Sequence, residues 1–388
     1  MDASRFPPTP FGEARRTVGA HGYVAYFPAP IPRTIDLPPS IQRLLADAEA
    51  SLGRLAGVGQ SVPNPHLLIR PYLLREALAS TRIEGTRATM SELFEADAGD
   101  PPNADVEEVI NYVDALQWGL GELERLPLSA RMLREMHARL MAGVRGRERM
   151  PGALRTTQNW IGAANSTIET AHFVPPPPEE LPALLRDWEN FANEDPEMPL
   201  LIQNALLHSQ FETIHPFLDG NGRFGRLLLV FFLVQRGRLQ APLLYLSAYL
   251  ERHRQRYYDA LGAIRETGDE VPWLELFLTA VETQARDAVT RAQRIVEVRE
   301  RYLEEAGMMA TANGRALVDL ICESPLVTTR QVEERMDVSR PTALRLLRRF
   351  AERGVISEAE RGPRGQRRYV AREMMAAVAE EESDDATA

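Results

Sequence analysis

The chain reads as a mainly α-helical protein with a second, smaller domain at its C-terminal end. Three observations carry that expectation. Apolar residues recur at helical spacing through most of residues 41–303. Within that span only 152–178 breaks the pattern, with β-prone residues and then four prolines. Beyond residue 308 the order becomes three short helices and two strand-like runs, with a local excess of arginine.

Residues 1–40 carry Pro7, Pro8, Pro10, Pro28, Pro30, Pro32, Pro38 and Pro39. They are expected as an extended arm lying on the surface of the domain, because Tyr23, Tyr26 and Phe27 need burial. Ile41, Leu44, Leu45, Ala48 and Leu52 give the next segment a helical stripe. Further helices are predicted near 67–83, 105–122, 129–142, 179–193, 199–214, 223–236, 248–265 and 271–303. The run RTTQNWIGAANSTIETAHFVPPPP predicts a short β-hairpin, Trp160 to Phe173, with a rigid exit.

Composition narrows the function classes. The 388 residues suit two or three domains, and 44% hydrophobic content supplies real cores. A net charge of −10 disfavours wholesale coating of nucleic acid or anionic membrane. Cys322 is the single cysteine, so no intramolecular disulfide or Cys-based zinc site can form. The N-terminal residues lack an apolar signal core, and Leu227–Val234 is too short to span a bilayer. A cytoplasmic location is the expectation. Every basic residue is arginine, which excludes a Walker A lysine and Schiff-base chemistry.

The informative stretch is His215-Pro216-Phe217-Leu218-Asp219-Gly220-Asn221-Gly222-Arg223-Phe224-Gly225-Arg226, which runs into the apolar helix 227–232. Gly220 and Gly222 allow backbone N–H groups to approach an anion closely. The helix start adds unpaired donors and a positive dipole end. Arg223 and Arg226, three apart, reach one face of the first turn, and guanidinium forks suit phosphate oxygens. Asp219 is a hard oxygen ligand suited to Mg²⁺ on phosphates. His215 can take a proton from a hydroxyl near neutral pH. His208, Glu212 and His215 also share a helix face at i, i+4 and i+7, a spacing open to zinc. That pattern is not HExxH, and a satisfied core histidine at 208 is the favoured alternative.

The same stretch resembles the Fic family motif, HxFx(D/E)GNGRxxR, at every fixed position. The flanks NALLHSQFE (204–212) and LLYLSAYL (243–250) extend the resemblance over about residues 30–290. It implies a helical-bundle protein adenylyltransferase, moving AMP from ATP to a Ser, Thr or Tyr hydroxyl. Carried over, His215 is the base and Asp219 the Mg²⁺ ligand. Gly220, Asn221, Gly222, Arg223, Phe224, Gly225 and Arg226 form the phosphate-binding stretch. The segment 160–173 would be a flap that pairs with the target's extended chain. Many relatives have Asn where this chain has His253, so His253, Tyr257 and Tyr258 are the candidates for the adenine. A homodimer is also implied.

Residues Ser80-Thr81-Arg82-Ile83-Glu84-Gly85 resemble the family's inhibitory motif, (S/T)xxxE(G/N). A carboxylate at Glu84 would pair with Arg226 and withhold it from the γ-phosphate. Ser80 and Gly85 complete the motif, with Gly85 suited to a helix end.

The C-terminal residues suggest a winged helix-turn-helix. Helices are expected over 313–323, 328–336 and 340–353, the second capped by Thr328 or Thr329 and the third by Ser339. Strands are expected at 354–356 and 368–370. Leu344, Leu347, Phe350 and Ala351 would form the buried face of the third helix. Arg340, Thr342 and Arg345 would offer a recognition surface to DNA, and Arg364 and Arg367 a wing. The boundaries are then an arm and inhibitory helix at 1–100, a catalytic core at 101–290, a linker helix at 291–307, the winged domain at 308–372 and a disordered acidic tail at 373–388. Two readings of function stand side by side. One is AMP transfer braked by Glu84, with removal of AMP by the same site as its variant. The other is a DNA-binding regulator whose nucleotide site is a sensor.

Overall fold

The computed structural model describes residues 1–18, 22–61, 66–123, 125–144, 149–163, 165–305, 311–363 and 365–379. Fifteen α-helices, two short 3-10 turns and five strands lie among them. A hairpin comes first, β1 (Gly12–Arg16) pairing antiparallel with β2 (Val24–Pro28). Then come α1 (Pro39–Ser61), α2 (His66–Ile83), α3 (Met90–Asp97), α4 (Ala104–Glu122) and α5 (Ala130–Leu140). After the 152–178 segment follow α6 (Leu181–Asn193), α7 (Leu200–Ile214), α8 (Asn221–Gln235), α9 (Ser247–Arg252), α10 (Arg254–Thr267) and the 35-residue α11 (Val271–Glu305). The C-terminal part comprises α12 (Ala312–Glu323), β3 (Leu326–Thr328), α13 (Thr329–Met336), α14 (Arg340–Glu352), β4 (Ser357–Ala359), β5 (Arg368–Val370) and α15 (Arg372–Ala379). Its three strands form an antiparallel sheet in the order β3-β5-β4.

At the centre lie α7 and α8. Leu201 to Ile214 are all buried, as are most residues of α8. A helix covered on every face lies inside the bundle, and these two do. Around them pack α2, α4, α6 and α11, and Tyr257 of α10 reaches His208 of α7. Several polar groups inside this core are paired. Trp188 Nε1 donates to Leu207 C=O at 2.8 Å, Trp273 Nε1 to Ala205 C=O at 2.9 Å, and Asn204 Nδ2 to Leu229 C=O at 3.0 Å.

Several expectations shift. The arm folds back on itself as β1–β2, and Tyr26 packs with Phe6 and Phe173 in a satellite cluster. Helix α3 was not anticipated; Thr89 and Glu92 form its capping box. The single helix expected at 248–265 is broken at His253. The hairpin expected at 160–173 reduces to one bridge, Ile161 with Phe173, at 2.8 and 3.0 Å. Its Ser and Thr residues bond the local backbone instead: Ser166 Oγ donates to Ala163 C=O, and Thr170 Oγ1 accepts from Thr167 N–H. In the C-terminal part the strand expected at 354–356 forms over Ser357–Ala359, and Leu346 joins Leu347 and Phe350 in the core while Leu344 is half-buried.

The C-terminal part is not tethered by a free linker. Helix α11 runs unbroken past residue 291 and buries Ile295, Val298, Tyr302 and Leu303. Residues 373–379, expected in a disordered tail, belong to α15, with Met374, Ala377 and Val378 buried; residues 380–388 lie outside the described residues. One continuous apolar core includes both Leu116 of α4 and Leu347 of α14. Polar ties cross the junction: Arg368 pairs with Asp100, and Gln331 Nε2 donates to Asp97 C=O at 2.7 Å.

Trp273→Ala should cost about 3–5 kcal/mol, because it opens a core cavity and strands the Ala205 carbonyl. Urea denaturation followed by circular dichroism measures that loss; a cost under about 1 kcal/mol would contradict this packing.

Candidate active site

Helix α7 ends where His215 turns left-handed, at φ 49°, with its N–H still bonded to Phe211 C=O at 2.9 Å. That turn leaves carbonyls without helical partners. Arg155, buried and brought in by the loop before the flap, takes them. Its Nε donates to His215 C=O at 2.9 Å, and NH2 donates to Ile214 C=O at 3.2 Å and Pro176 C=O at 2.5 Å. A cation at a helix C-terminus also complements the dipole. Burial pushes the Arg155 guanidinium down to about 10. The His215 imidazole is pulled down to about 4, first by burial and then by Arg155. At neutral pH it is therefore unprotonated and able to accept a proton.

The loop beyond is held from three sides. Asn221 clamps both main-chain groups of Phe217, accepting its N–H at 2.9 Å and donating to its C=O at 2.8 Å. Asn159 Nδ2 adds a bond to the same carbonyl at 3.0 Å. The Phe217 ring stacks on His137 with centroids 3.7 Å apart. His137 is neutral because burial lowers it to about 4. It accepts the Gly152 N–H at Nδ1 (2.9 Å), so Nε2 carries the proton and donates to Asp219 C=O, also at 2.9 Å. Gly220 sits at φ 76°, and a Cβ there would lie 2.6 Å from Met141 Sδ, so glycine is required twice over. Asp219 turns its half-exposed carboxylate outward, with Oδ1 accepting the Gly220 N–H at 2.7 Å.

Helix α8 begins at Asn221, and its first helical bond runs from Phe224 N–H to Gly220 C=O at 3.0 Å. The N–H groups of Gly222 and Arg223 precede that bond and sit at the positive end of the dipole. Both arginines of the motif are engaged by carboxylates from other helices. Arg223 NH1 donates to Glu108 Oε2 of α4 at 3.0 Å, and both side chains are buried. Arg226, 1% exposed, donates from Nε to Ser80 Oγ (3.0 Å) and from NH2 to Ser80 C=O (2.9 Å) and Glu84 Oε1 (2.8 Å). Partial burial pushes the Glu84 carboxyl up, but Arg226 outweighs it and holds the group below its ordinary range. Burial opposes the charge on Arg226, and Glu84 raises it overall. Gly222 makes this approach possible, since a Cβ there would lie 2.6 Å from Glu84 Oε1.

These groups open on a cleft of about 920 Å³, walled by Trp160, Phe173, Tyr257, Tyr258 and Arg265 among others. The Ile161–Phe173 bridge forms one edge of it. Of the three adenine candidates, Tyr258 lines the cleft with 40% of its surface exposed. Tyr257 also lines it, but its hydroxyl is held by His208 Nε2 at 2.8 Å. His253 does not line it: it stacks on Tyr249 at 4.1 Å and bonds the Tyr249 carbonyl. The Phe224 ring is wholly buried against Phe211 and Phe217, so only its backbone belongs to the phosphate stretch. The Asn221 side chain, likewise, is spent on the loop.

His208 is a satisfied core histidine, bonded to Gly225 C=O at 3.1 Å and to Tyr257. Among the described residues no group of three His, Cys, Asp or Glu could hold a metal, so a zinc cluster of His208, Glu212 and His215 is not formed. Glu212 is nonetheless distinctive. Its Oε1 is buried with no hydrogen-bond partner among the described residues, and burial raises the carboxyl to about 7 against the pull of Arg226. Sequence reasoning missed Arg155, His137, Asn159 and Glu108. Each acts from a different segment, and no local pattern marks it.

In the C-terminal part Arg340, Arg345 and Arg367 are exposed and Thr342 half-exposed, while Arg364 lies outside the described residues. Arg368 is buried against Asp100 and does not belong to a surface patch.

Comparison with known proteins adds the family. Residues 42–121 match the Fic/DOC family N-terminal region and residues 127–233 the Fic/DOC family. A probable protein adenylyltransferase from Aquifex aeolicus is 38% identical over 103 residues, 26% of this chain and 30% of its own length. The protein adenylyltransferase Fic of Drosophila willistoni is 26% identical over 64% of this chain and 48% of its own. The chain thus spans less than half the length of these curated relatives. A Fic family protein from Desulfovibrio desulfuricans shares the fold, with a TM-score of 0.58 at 23% identity over 87% of this chain and 97% of its own.

The buried titratable groups set an acid dependence. His137 and His215 at about 4 and His208 at about 3 lie below the ordinary 6.5, burial being the first cause of each. Between pH 6.5 and about 4 the unfolded chain binds these protons and the folded chain does not, so their stability contribution is lost as pH falls. Glu212, raised from 4.5 to about 7, and Glu76, also pushed up by burial, work oppositely. The thermal midpoint should therefore rise from pH 5 to pH 6.5 in scanning calorimetry; a flat or falling midpoint would contradict these histidine environments.

Proposed function

Because the chain belongs to the Fic/DOC family, we propose that it is a protein adenylyltransferase held off by its own Glu84. It moves AMP from Mg²⁺-bound ATP to a Ser, Thr or Tyr hydroxyl of a target protein or of itself. The observation that carries the reading is one cleft in which a neutral His215, the open first turn of α8 and an Arg226 already bound by Glu84 all meet.

The acceptor hydroxyl gives its proton to His215 as its oxygen bonds to the α-phosphorus. The bond from that phosphorus to the bridging oxygen breaks, and pyrophosphate leaves. The Gly222 and Arg223 N–H groups take phosphate oxygens at the helix start. Arg226 takes the terminal phosphate once Glu84 releases it. Arg223 remains with Glu108 and, 3.9 Å from Asp219, steadies that carboxylate. Asp219 fits as a Mg²⁺ ligand: it is a half-exposed carboxylate beside the phosphate-binding turn, and Mg²⁺ is commonly held by one or two carboxylates plus substrate phosphates. When bound, Mg²⁺ supplies charge neutralisation across the phosphates. The flap edge at Ile161 and Phe173 offers a place for an extended target segment.

For the C-terminal part we propose DNA contact through the exposed start and outer face of α14, where Arg340, Arg345, Arg348 and Arg349 cluster. Arg345→Ala should weaken binding to duplex DNA and reduce its salt dependence by about one phosphate contact. Equal binding by both forms in a fluorescence titration would remove this reading.

With ATP labelled on its α-phosphate, Glu84→Gly should label protein at least about tenfold more than the unaltered chain. Adding His215→Ala should cut that labelling by about 10²–10⁴-fold. Equal labelling by all three proteins would reject both the base and the brake. Loss of label from a pre-labelled target would instead establish the reverse reaction.

A further inference from the structure

The cleft that holds His215 has two kinds of lining. One is charged and comes from the turn and the start of α8, with Asp219, Arg223 and Arg226. The other is largely apolar, with Trp160, Ile161 and Phe173 from the flap and Tyr258 and Leu261 from α10. Phosphates suit the first, and a flat heterocyclic base suits the second. Trp160 and Tyr258 are both exposed, so two aromatic rings are open to a ligand there.

One cation stands in the apolar part. Tyr258, Leu261 and Arg265 are spaced i, i+3 and i+7 along one face of α10, and all three line the cleft. The Arg265 guanidinium lies over the Phe173 ring, 4.3 Å from its centroid, and its Nε donates to Leu261 C=O at 3.1 Å. Those two contacts fix the group and leave its terminal nitrogens for a ligand. Among the described residues no carboxylate forms an ion pair with it; its sequence neighbour Glu266 pairs with Arg5 at 2.7 Å. Burial holds the guanidinium below its ordinary value, outweighing the pull of Glu212 and Glu266.

A guanidinium has donors and no acceptor. Both arms of its fork are matched by a base edge with two neighbouring acceptors, and guanine presents O6 and N7 in that way. Adenine presents N7 beside its N6 amino donor, so one arm meets another donor. We propose that Arg265 reads the edge of the base, and that the cleft takes guanine nucleotides at least as well as adenine nucleotides. The inference rests on the nucleotidyl-transfer reading above and widens its donor. The added step balances as the first does: the acceptor oxygen bonds to the α-phosphorus of GTP, its proton passes to His215, and pyrophosphate leaves.

The test measures binding and not transfer. The full chain carrying Glu84→Gly is titrated calorimetrically with Mg²⁺-bound ATP, GTP and 7-deaza-GTP. GTP should bind at least as tightly as ATP. The deaza analogue keeps O6 but has carbon in place of N7, and it should bind about tenfold more weakly than GTP. Arg265→Ala should lower the GTP-to-ATP affinity ratio by about tenfold, and Arg265→Lys, a point charge without the fork, should lower it as well. The comparison between nucleotides stands on its own should either variant fail to fold. GTP binding weaker than ATP, equal binding of GTP and its deaza analogue, or a ratio unchanged in both variants would each overturn the proposal. Binding of ATP without GTP overturns it alone and leaves adenylyl transfer standing, whereas binding of neither nucleotide overturns both.

Discussion

Reversing direction between two helices that are buried on nearly every face is the constraint from which the rest of this site follows. The turn from α7 to α8 must run through the interior, where an unpaired carbonyl or N–H costs about 1–3 kcal/mol. Each exposed main-chain group is therefore met by a dedicated side chain. Arg155 gathers the end of α7, Asn221 closes on Phe217, and His137 supports Asp219 through a fixed tautomer. The His215 imidazole is one member of that scaffold. Its left-handed backbone places the ring at the turn, and the burial that the scaffold demands is what keeps it neutral.

Two arginines three residues apart on α8 meet two carboxylates, and the pairs differ in kind. Arg223 and Glu108 are both buried, a pair whose separation would leave a charge stranded. Arg226 is equally buried, but its partner Glu84 keeps 38% of its side chain exposed at the cleft. Glu84 can leave for water at little desolvation cost, while Arg226 stays fixed by Ser80. An incoming phosphate would compete only for the position that Glu84 occupies. A fixed guanidinium with an exchangeable partner is the arrangement a reversible brake needs. The close approach of Glu84 over Gly222 covers the same first turn that an anion would use.

Local signals made much of this legible. Helical periodicity located α2, α4, α6, α7, α8 and α11 to within a few residues, because each buries an apolar face of several turns. The motif from His215 to Arg226 was readable since its residues are contiguous and each has a separate chemical reason. What escaped was of two kinds. Short elements such as α3 and β3 depend on capping and on distant partners more than on periodicity; Thr89 and Glu92 were the available cue for α3. The support residues Arg155, His137, Asn159 and Glu108 lie 58 to 115 positions from the His215, Asp219, Phe217 and Arg223 groups they hold, well beyond any sequence window. The flap was misread because Ser166 and the β-prone Thr170 there bond the local backbone instead of supporting a ladder.

The composition of α2 connects the two ends of the chain. Its Glu76 is wholly buried, accepting from the Ser247 N–H at 3.0 Å, from the Ser247 hydroxyl and from Tyr112 at 3.1 Å. That network fixes α2 against α9 and α4 near its middle. The last turn of α2 then presents Ser80 and Glu84 to Arg226, while its other side packs on α12 and reaches α15 through Arg75. A helix pinned at its centre and engaged on both flanks cannot shift on one side alone. One apolar core joins these surfaces, so the segment that carries Glu84 and the C-terminal part rest on the same helix.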